Sequence, residues 1–273
     1  MTGISRALAR GAARLKPVSD TPRLDSELLM AHALGVERDT LLLNPPAAPA
    51  PPAFDDFIER RAQGEPVAYI TGRRAFWNIE LEVGPGVLVP RPDSETLIVA
   101  ALDHFAKGAP SRILDLGTGP GTLLLAALDQ WPRSTGIGVD ASDTALEYAR
   151  ANARRLGLGA RATFRRGDWA MGVSEKFDLV LINPPYVAED AELGPGVAEF
   201  EPCEALFAGP DGLEEYRRLA PDLARLIAPG GLAAIEIGAE QGEAATAILA
   251  AHGLASRLAS DLAGRPRALL VTG

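Results

Sequence analysis

Cysteine is almost absent from this sequence, and long apolar runs are missing. The one cysteine, Cys203, excludes a disulfide within the chain and fits a reducing compartment, so we expect a cytoplasmic protein. No apolar run reaches the roughly 20 residues that a membrane-spanning helix needs, and no membrane partner is expected. His32, His104 and His252 are scattered without a spacing typical of metal ligands, so we predict no metal site.

An excess of positive charge is also lacking. The net charge of −9 argues against a protein that binds a nucleic-acid backbone directly, because such proteins usually carry a basic patch. Apolar residues make up 47% of the 273 residues, enough for a substantial core in one large domain or two unequal ones. The arginine-rich start could be a transit peptide, but Ile4, Leu8 and Leu15 share a helical face. We interpret it as the first helix of the fold.

Three regions differ in their pattern along the chain. Helical stripes, interrupted by the proline-rich segment 44–52, predict an N-terminal helical domain over residues 1–75. Alternating apolar and polar residues that run into Gly84-Pro85-Gly86 predict a β-hairpin linker over residues 76–92, with its turn at these glycines. Strand and helix patterns then alternate over residues 93–273, which predicts an α/β fold with a mainly parallel sheet covered on both faces. The predicted strands are 112–116, 136–140, 163–167, 177–182, 230–237 and 267–271.

The first of these strands runs into a glycine-rich turn, ILDLGTGPG. Gly117, Gly119 and Gly121 have no Cβ, so a ligand can lie against the backbone, and open α/β sheets bind ligands at strand carboxyl ends. The spacing is G-x-G-x-G, which differs from the G-x-G-x-x-G of dinucleotide-binding folds. Asp115, just before the turn, suits a cationic sulfonium or ammonium group better than a phosphate. The turn therefore predicts a site for a cationic ligand.

Acidic residues also follow the next two strands. Asp140 comes about 20 residues after the turn, the spacing at which an acidic residue reaches ribose hydroxyls. Asp168 could accept a hydrogen bond from the exocyclic amine of an adenine, and Trp169 could pack on its ring. Together the three strand ends predict a site for an adenosine that carries a cationic group, which describes S-adenosylmethionine.

The fourth strand ends in Asn183-Pro184-Pro185-Tyr186. An amide nitrogen is a poor nucleophile because its lone pair is delocalised. The side-chain carbonyl of Asn183 and the backbone carbonyl of Pro184, whose direction Pro185 constrains, could accept both N–H groups, and Tyr186 could stack on the flat amide. The motif predicts methylation of a planar –NH2 group without a strong general base. A plain turn with the tyrosine in the core is the structural alternative.

Two further charged groups have both a structural and a functional interpretation. Arg91, Asp93 and Glu95 could take part in catalysis, but a salt-bridged helix start that fixes the domain junction is the favoured interpretation. Glu199 and Glu201 could line the substrate cleft or form a solvated acidic loop, and both possibilities stay open.

These segments resemble the HemK/PrmC family of peptide-chain release factor glutamine N5-methyltransferases. The resemblance covers nearly the whole chain and is most specific in the hairpin segment ending in PRPDSE and in FEPCEALFAGPDGL, whereas NPPY is shared with adenine N6-methyltransferases. It implies a small N-terminal helical substrate-recognition domain. It also implies a β-hairpin and a Rossmann-like, seven-stranded class I methyltransferase domain.

The resemblance further implies the reaction. A methyl group passes from S-adenosylmethionine to the side-chain amide N5 of the glutamine in the Gly-Gly-Gln motif of class I release factors, and S-adenosylhomocysteine is the product. These factors are the expected partners of a monomeric chain. The implied catalytic and substrate-binding residues are Asn183, Pro184, Pro185 and Tyr186. The implied cofactor-binding residues are Gly117, Thr118, Gly119, Pro120, Gly121, Asp140, Trp169 and Asn183.

The sequence departs from the family pattern at two positions. Pro120 stands where Ser or Thr is common and removes one backbone donor, and Ser94 stands where Thr is expected.

There are three alternatives to this reaction. A sister enzyme could methylate a ribosomal-protein glutamine by the same chemistry. An adenine N6-methyltransferase would need a basic groove around the flipped base, which the net charge of −9 disfavours. A cofactor-binding protein without catalysis is disfavoured by the intact NPPY motif.

Overall fold

The computed structural model describes residues 3–44 and 46–273. Residue contacts divide the chain into two compact units. The first unit comprises the chain up to Arg73 together with the later segment Glu192–Glu201. The second unit comprises Arg74–Ala191 and Pro202–Gly273. Every helix within the described ranges is too short or too polar to cross a lipid bilayer.

The first unit is helical. Its helices in the N-terminal part of the chain are α1 (Gly3–Leu15), α2 (Pro22–Leu34), α3 (Arg38–Leu43), α4 (Ala53–Ala62) and α5 (Val67–Thr71). Ile4, Leu15, Leu29 and Phe54 are buried in their common core. Gly11 allows α1 to pack closely, since a Cβ there would lie 2.9 Å from the Phe54 ring. Residues 46–52 contain no helix, as predicted, while Pro45 of that segment lies outside the described residues.

The predicted hairpin is present, but its turn is elsewhere. The strands are β1 (Arg73–Phe76) and β2 (Ile79–Glu82), which pair only with each other. The hairpin turn is at Trp77-Asn78. The chain also turns at Gly84-Pro85-Gly86, where the Val87 N–H donates to the Gly84 carbonyl at 3.4 Å, but the prediction that this is the hairpin turn is wrong. Trp77 has a φ of 54°, a conformation that non-glycine residues rarely adopt. Its N–H donates to Glu95 at 3.0 Å and its ring Nε1 donates to Gln130 at 3.2 Å, and these distant partners stabilise the turn.

The second unit is built on a seven-stranded sheet. The strands are β3 (Arg112–Leu116), β4 (Thr135–Asp140), β5 (Ala162–Arg166), β6 (Phe177–Ile182), β7 (Ile227–Glu236), β8 (Ser256–Ser260) and β9 (Pro266–Thr272). The helices of this unit are α6 (Glu95–His104), α7 (Thr122–Gln130), α8 (Asp143–Arg155), α10 (Glu214–Leu226) and α11 (Gly242–Ala251). The short helix α9 (Val197–Phe200) belongs to the first unit. The strand order is β5-β4-β3-β6-β7-β9-β8, and β9 is antiparallel to both of its neighbours.

The mainly parallel sheet confirms the predicted fold class. All six predicted strands are present, although β7 begins at Ile227, before the predicted residue 230. The edge strand β8 was missed because its sequence, SRLAS, leaves most side chains partly or fully exposed and lacks an apolar run. In the centre, β3 and β6 are apolar on both faces, and Leu114, Leu116, Val180 and Ile182 are fully buried.

The strand order positions the site. The chain moves outward from β3 to β4 and β5 and then returns to the other side of β3 with β6, so the order reverses between β3 and β6. Open α/β sheets bind ligands at such a reversal, beyond the carboxyl ends of the strands. In the register, Leu116 at the end of β3 is paired with Val139 of β4 and Ile182 of β6. The residues that follow these three strands therefore meet at one edge.

Candidate active site

A cavity of about 740 Å³ opens at the carboxyl ends of β3 to β6. This volume lies in the range of small-molecule sites. Most of the residues proposed from the sequence line it. They are Asp115, Gly117, Thr118, Gly119, Pro120, Asp140, Asp168, Trp169, Asn183 and Pro185. The structure thus brings together the ends of four strands that are separated in sequence.

The three glycines of the turn have different roles. Gly117 has a φ of 72°, and a Cβ there would lie 3.2 Å from the Trp169 ring. At Gly119, with a φ of 55°, a Cβ would extend into open space. Gly121 does not line the cavity, and a Cβ there would lie 2.7 Å from Leu125 Cδ1 on α7. Gly117 makes room for the Trp169 ring, Gly119 leaves the backbone open to a ligand, and Gly121 allows α7 to pack.

Asp115 is the most deeply buried carboxylate of the cavity wall, with 1% exposure. Its Oδ2 accepts hydrogen bonds from Thr118 Oγ1 at 2.6 Å and from the Leu124 N–H at 3.0 Å. Its Oδ1 has no hydrogen-bond partner among the residues that the structure describes. Burial raises the pKa of Asp115 to about 7. A cationic ligand group would supply the missing partner and favour the ionised form.

Asp140 stabilises the glycine-rich loop as well as lining the cavity. Its Oδ2 accepts the Gly119 N–H at 2.8 Å, and its Oδ1 accepts the Ser142 N–H at 2.9 Å. Burial raises the pKa of this carboxyl, and the backbone donors act in the opposite direction. Each carboxylate oxygen can accept a second hydrogen bond, so contact with ribose hydroxyls remains chemically possible.

Asp168 and Trp169 are held by α10, which sequence reasoning did not anticipate. Both oxygens of Asp168 accept hydrogen bonds from Arg218, at 2.6 and 2.7 Å. Trp169 Nε1 donates to Glu215 at 2.6 Å, and Trp169 has a φ of 47°. The pair Glu215 and Arg218 has the (i, i+3) spacing of an ordinary exposed helix face, so no signal marked it. The charge on Asp168 is balanced by Arg218, which leaves it less free to accept from an adenine amine.

The Asn183 to Tyr186 segment lies at a second, smaller cavity. Asn183, Pro184 and Tyr186 line this cavity of about 50 Å³, and Asn183 also lines the large one. Tyr186 is half-buried, and its hydroxyl donates to Glu236 Oε1 at 3.3 Å. Burial raises the pKa of Tyr186, which keeps the phenol protonated. The tyrosine packs against the core and also lines the small cavity. Its stacking role stays a prediction.

Ser94 is a second residue that the sequence did not mark as part of the site. It is 2% exposed and lines the large cavity. Its oxygen accepts a hydrogen bond from Asn183 Nδ2 at 3.0 Å, across 89 residues of sequence. The sequence distinguishes Ser94 only as a departure from the family pattern, which has Thr at this position.

The structural role was favoured for all three charged residues at the start of α6, and two of them make contacts of that kind. Asp93 forms an ion pair with Arg267 at 2.9 Å. Glu95 accepts the N–H of Trp77 in the hairpin turn. Arg91 lines both cavities.

Glu199 and Glu201 belong to the segment that joins the first unit. Glu199 is exposed, whereas Glu201 is 3% exposed, so only the former fits a solvated acidic loop. The same segment approaches the backbone of Gly64, since a Cβ on Gly196 would lie 1.9 Å from the Gly64 carbonyl oxygen. With a φ of 83°, position 196 requires glycine on both grounds.

Asn152 of α8 explains how the loop is held at Pro120. Its Nδ2 donates to the Pro120 carbonyl at 3.0 Å and to the Glu82 carbonyl at 3.0 Å. Its Oδ1 accepts the Glu82 N–H at 2.7 Å. Pro120 lacks an N–H, but its carbonyl is fixed by this buried side chain. Asn152 therefore ties the cofactor loop to β2.

The seven-stranded sheet, the glycine-rich loop and the acidic strand ends define the second unit as a class I methyltransferase. Residues 108–245 match the family model described as a methyltransferase domain. A methyltransferase of Pyrococcus furiosus has the same fold, with a TM-score of 0.55 at 18% identity, over 78% of this chain and 97% of that one. Residues 6–72 match the model of the PrmC N-terminal domain.

Curated relatives identify the family. The release factor glutamine methyltransferase of Caulobacter vibrioides is 43% identical over 94% of this chain and 92% of its own. That of Rhodospirillum rubrum is 43% identical over 98% of this chain and 84% of its own. The chain belongs to the release factor glutamine methyltransferase family, and the resemblance to HemK/PrmC proteins is confirmed.

Proposed function

We propose that this chain transfers a methyl group from S-adenosylmethionine to the side-chain amide N5 of the glutamine in the Gly-Gly-Gln motif of class I release factors. The observation that carries the proposal is the position of Asn183, which lines both the cofactor-sized cavity and the small cavity at Pro184 and Tyr186. This position supports the proposal, because a donor site and an acceptor site would then adjoin at one side-chain carboxamide. The curated relatives at 43% identity bear the name of this reaction.

The residues of the large cavity fit S-adenosylmethionine, which supplies a methyl group on a positively charged sulfur. The unpartnered Oδ1 of Asp115 suits the cationic end of the molecule. Gly119 would allow a close approach to the backbone, Asp140 would accept from ribose hydroxyls, and the Trp169 ring would pack against the adenine.

The acceptor side follows from the chemistry of an amide. Asn183 Oδ1 and the Pro184 carbonyl accept the two N–H groups of the glutamine amide, and Tyr186 stacks on its plane. These contacts select a flat –NH2 group and direct its nitrogen lone pair toward the methyl group. The new N–C bond forms as the S–C bond breaks, and the bonding electrons stay on sulfur. The nitrogen then loses its extra proton to water, so no strong general base is required.

The helical unit gives the proposal its partner specificity. In this proposal, residues 1–75 form a substrate-recognition domain that binds the release factor outside its glutamine loop, residues 76–92 link the domains, and residues 93–273 carry out the transfer. Two glycines before the glutamine let its backbone enter a narrow site without side-chain clashes. Because release factors act on ribosomes, we place the protein in the cytoplasm, where Cys203 would stay reduced.

Mass spectrometry of a purified class I release factor tests the substrate. After incubation with the enzyme and S-adenosylmethionine, we expect one added methylene mass on the peptide that contains the loop glutamine. A release factor with alanine in place of this glutamine should gain nothing, and a Gly-Gly-Gln peptide should show a lower kcat/KM than the intact factor. Methylation of a ribosomal-protein glutamine, with the release factor unmodified, would contradict the proposal. Equal kcat/KM for peptide and factor would remove the role of the helical unit.

Asn183→Ala tests the acceptor site. We expect kcat to fall about a hundredfold or more, because one of the two groups that orient the amide is lost. The exposed Asn78 in the hairpin turn provides a matched control, and Asn78→Ala should keep wild-type turnover. Thermal unfolding of both variants shows whether the fold is retained. Wild-type activity in a folded Asn183→Ala enzyme would reject the two-acceptor mechanism.

A further inference from the structure

A buried carboxylate lies behind the side chain of Asn183. Glu236, at the end of β7, has 0% exposure. It accepts a hydrogen bond from the Tyr186 hydroxyl at 3.3 Å, and the Ser94 hydroxyl lies close enough to lower its pKa. Ser94 in turn accepts the hydrogen bond from Asn183 Nδ2 at 3.0 Å. Ser94 therefore lies between the Asn183 amide and the Glu236 carboxyl.

The donor and acceptor capacity of each group determines which end of the Asn183 amide faces Ser94. A serine hydroxyl carries one hydrogen, and the nearby Glu236 carboxylate is the acceptor that attracts it. The Ser94 oxygen is then left as an acceptor, so it selects the NH2 end of the Asn183 amide and leaves Oδ1 facing elsewhere. Burial raises the pKa of Glu236 to about 7, so the carboxylate form that attracts the serine hydrogen predominates above about pH 7.

The direction matters because the two ends of the Asn183 amide have opposite hydrogen-bonding roles. Resting on the proposed function, we infer that Ser94 and Glu236 are positioning residues that orient the Asn183 amide so that its oxygen accepts from the substrate –NH2 group. With the amide reversed, Asn183 would present N–H groups to the N–H groups of the substrate. The glutamine would then lose one of its two acceptors.

Ser94→Ala removes the group that distinguishes the two ends of the amide. We expect kcat, at saturating S-adenosylmethionine and release factor, to fall about tenfold to a hundredfold, the range for a buried hydrogen bond left unmade. The KM for S-adenosylmethionine should change less than kcat does, because the lost orientation acts mainly on the contact with the acceptor amide. Ser94→Thr keeps the hydroxyl and should restore most of the activity.

Ser134→Ala is the matched control for loss of a buried serine hydroxyl. Ser134 is fully buried, and its hydroxyl donates to the Pro110 carbonyl, away from the site. This variant should lower thermal stability but keep the wild-type kcat. If Ser94→Ala keeps the wild-type kcat, if it acts only on the KM for S-adenosylmethionine, or if Ser94→Thr is as impaired as Ser94→Ala, the positioning role is overturned.

A measurement without substrate separates this inference from the proposed function. In the ligand-free protein, NMR of the ¹⁵N-labelled side-chain amide of Asn183 should show slow hydrogen exchange, and Ser94→Ala should accelerate it. Unchanged exchange would overturn the positioning role even if the wild-type enzyme methylates release factor. A wild-type enzyme that leaves release factor unmodified, with exchange altered as expected, would instead overturn the proposed substrate and leave the oriented amide in place.

Discussion

Replacing Asp115 with asparagine should separate stability from cofactor affinity. Burial and the nearby charge of Asp140 raise the pKa of Asp115 from 3.8 to about 7. Between pH 3.8 and about pH 7, Asp115 keeps its proton in the folded protein but releases it in the unfolded chain. The cost of this carboxyl to stability therefore grows as pH rises through that window and is complete above about pH 7. At about 1.4 kcal/mol for each tenfold change in acidity, the full cost is about 4 kcal/mol.

The asparagine keeps the shape and one accepting oxygen for Thr118 and Leu124, but it buries an unpaired N–H at a cost of about 1–3 kcal/mol. The net gain for the ligand-free Asp115→Asn protein at pH 8 is then about 1–3 kcal/mol. The cost of the amide does not depend on pH, so it cancels in a comparison of two pH values. Urea unfolding should show the advantage of the variant growing by about 3 kcal/mol from pH 5 to pH 8.

Cofactor affinity should change in the opposite direction. A cation binds the ionised form of Asp115, so the affinity of the wild type for S-adenosylmethionine should weaken about tenfold from pH 8 to pH 6. Asp115→Asn should bind more weakly at pH 8 and lose this pH dependence in calorimetry. Asp129→Asn, an exposed change of the same charge on α7, controls for net charge. A variant that binds as tightly as the wild type, or whose stability difference is the same at both pH values, would refute the reasoning.

Two further predictions concern residues that support the site. Asn152→Ala should lower the free energy of unfolding by about 2–4 kcal/mol, as measured by urea unfolding. The reason is that the backbone groups of Glu82 and the Pro120 carbonyl lose their hydrogen-bond partner. A variant as stable as the wild type would show that water replaces the amide. Gly196→Ala should destabilise the first unit, because the new Cβ would overlap the Gly64 carbonyl oxygen. Faster proteolysis of the first unit is the expected result, and wild-type resistance would contradict it.

The strand ends could be located from the sequence because parallel strands place their carboxyl ends along one edge. Asp115, Asp140 and Asn183 end or directly follow an apolar run, and Trp169 follows the more polar strand β5, so their positions required no knowledge of distant contacts. The catalytic and cofactor roles of these residues remain predictions that the variants above test.

Other features depend on partners that are far apart in the chain. The hairpin turn at Trp77 depends on Glu95 and Gln130, so the local signal of Gly84 and Gly86 was misleading. The ion pair of Asp168 with Arg218 spans 50 residues. An (i, i+3) charge pair has the same appearance in sequence whether it faces solvent or a ligand cavity.

By itself, the sequence determined the α/β class, the order of the strand-end motifs and the family, because these are properties of local periodicity and contiguous residues. Only the tertiary structure decided which way the Asn183 amide is held, that Asp115 is buried with an unpaired oxygen, and that Glu192–Glu201 packs with the first unit. The reason is physical. Hydrogen-bond direction and desolvation depend on the atoms that surround a group in space, and residues such as Ser94 and Glu236 become neighbours only when the sheet has formed.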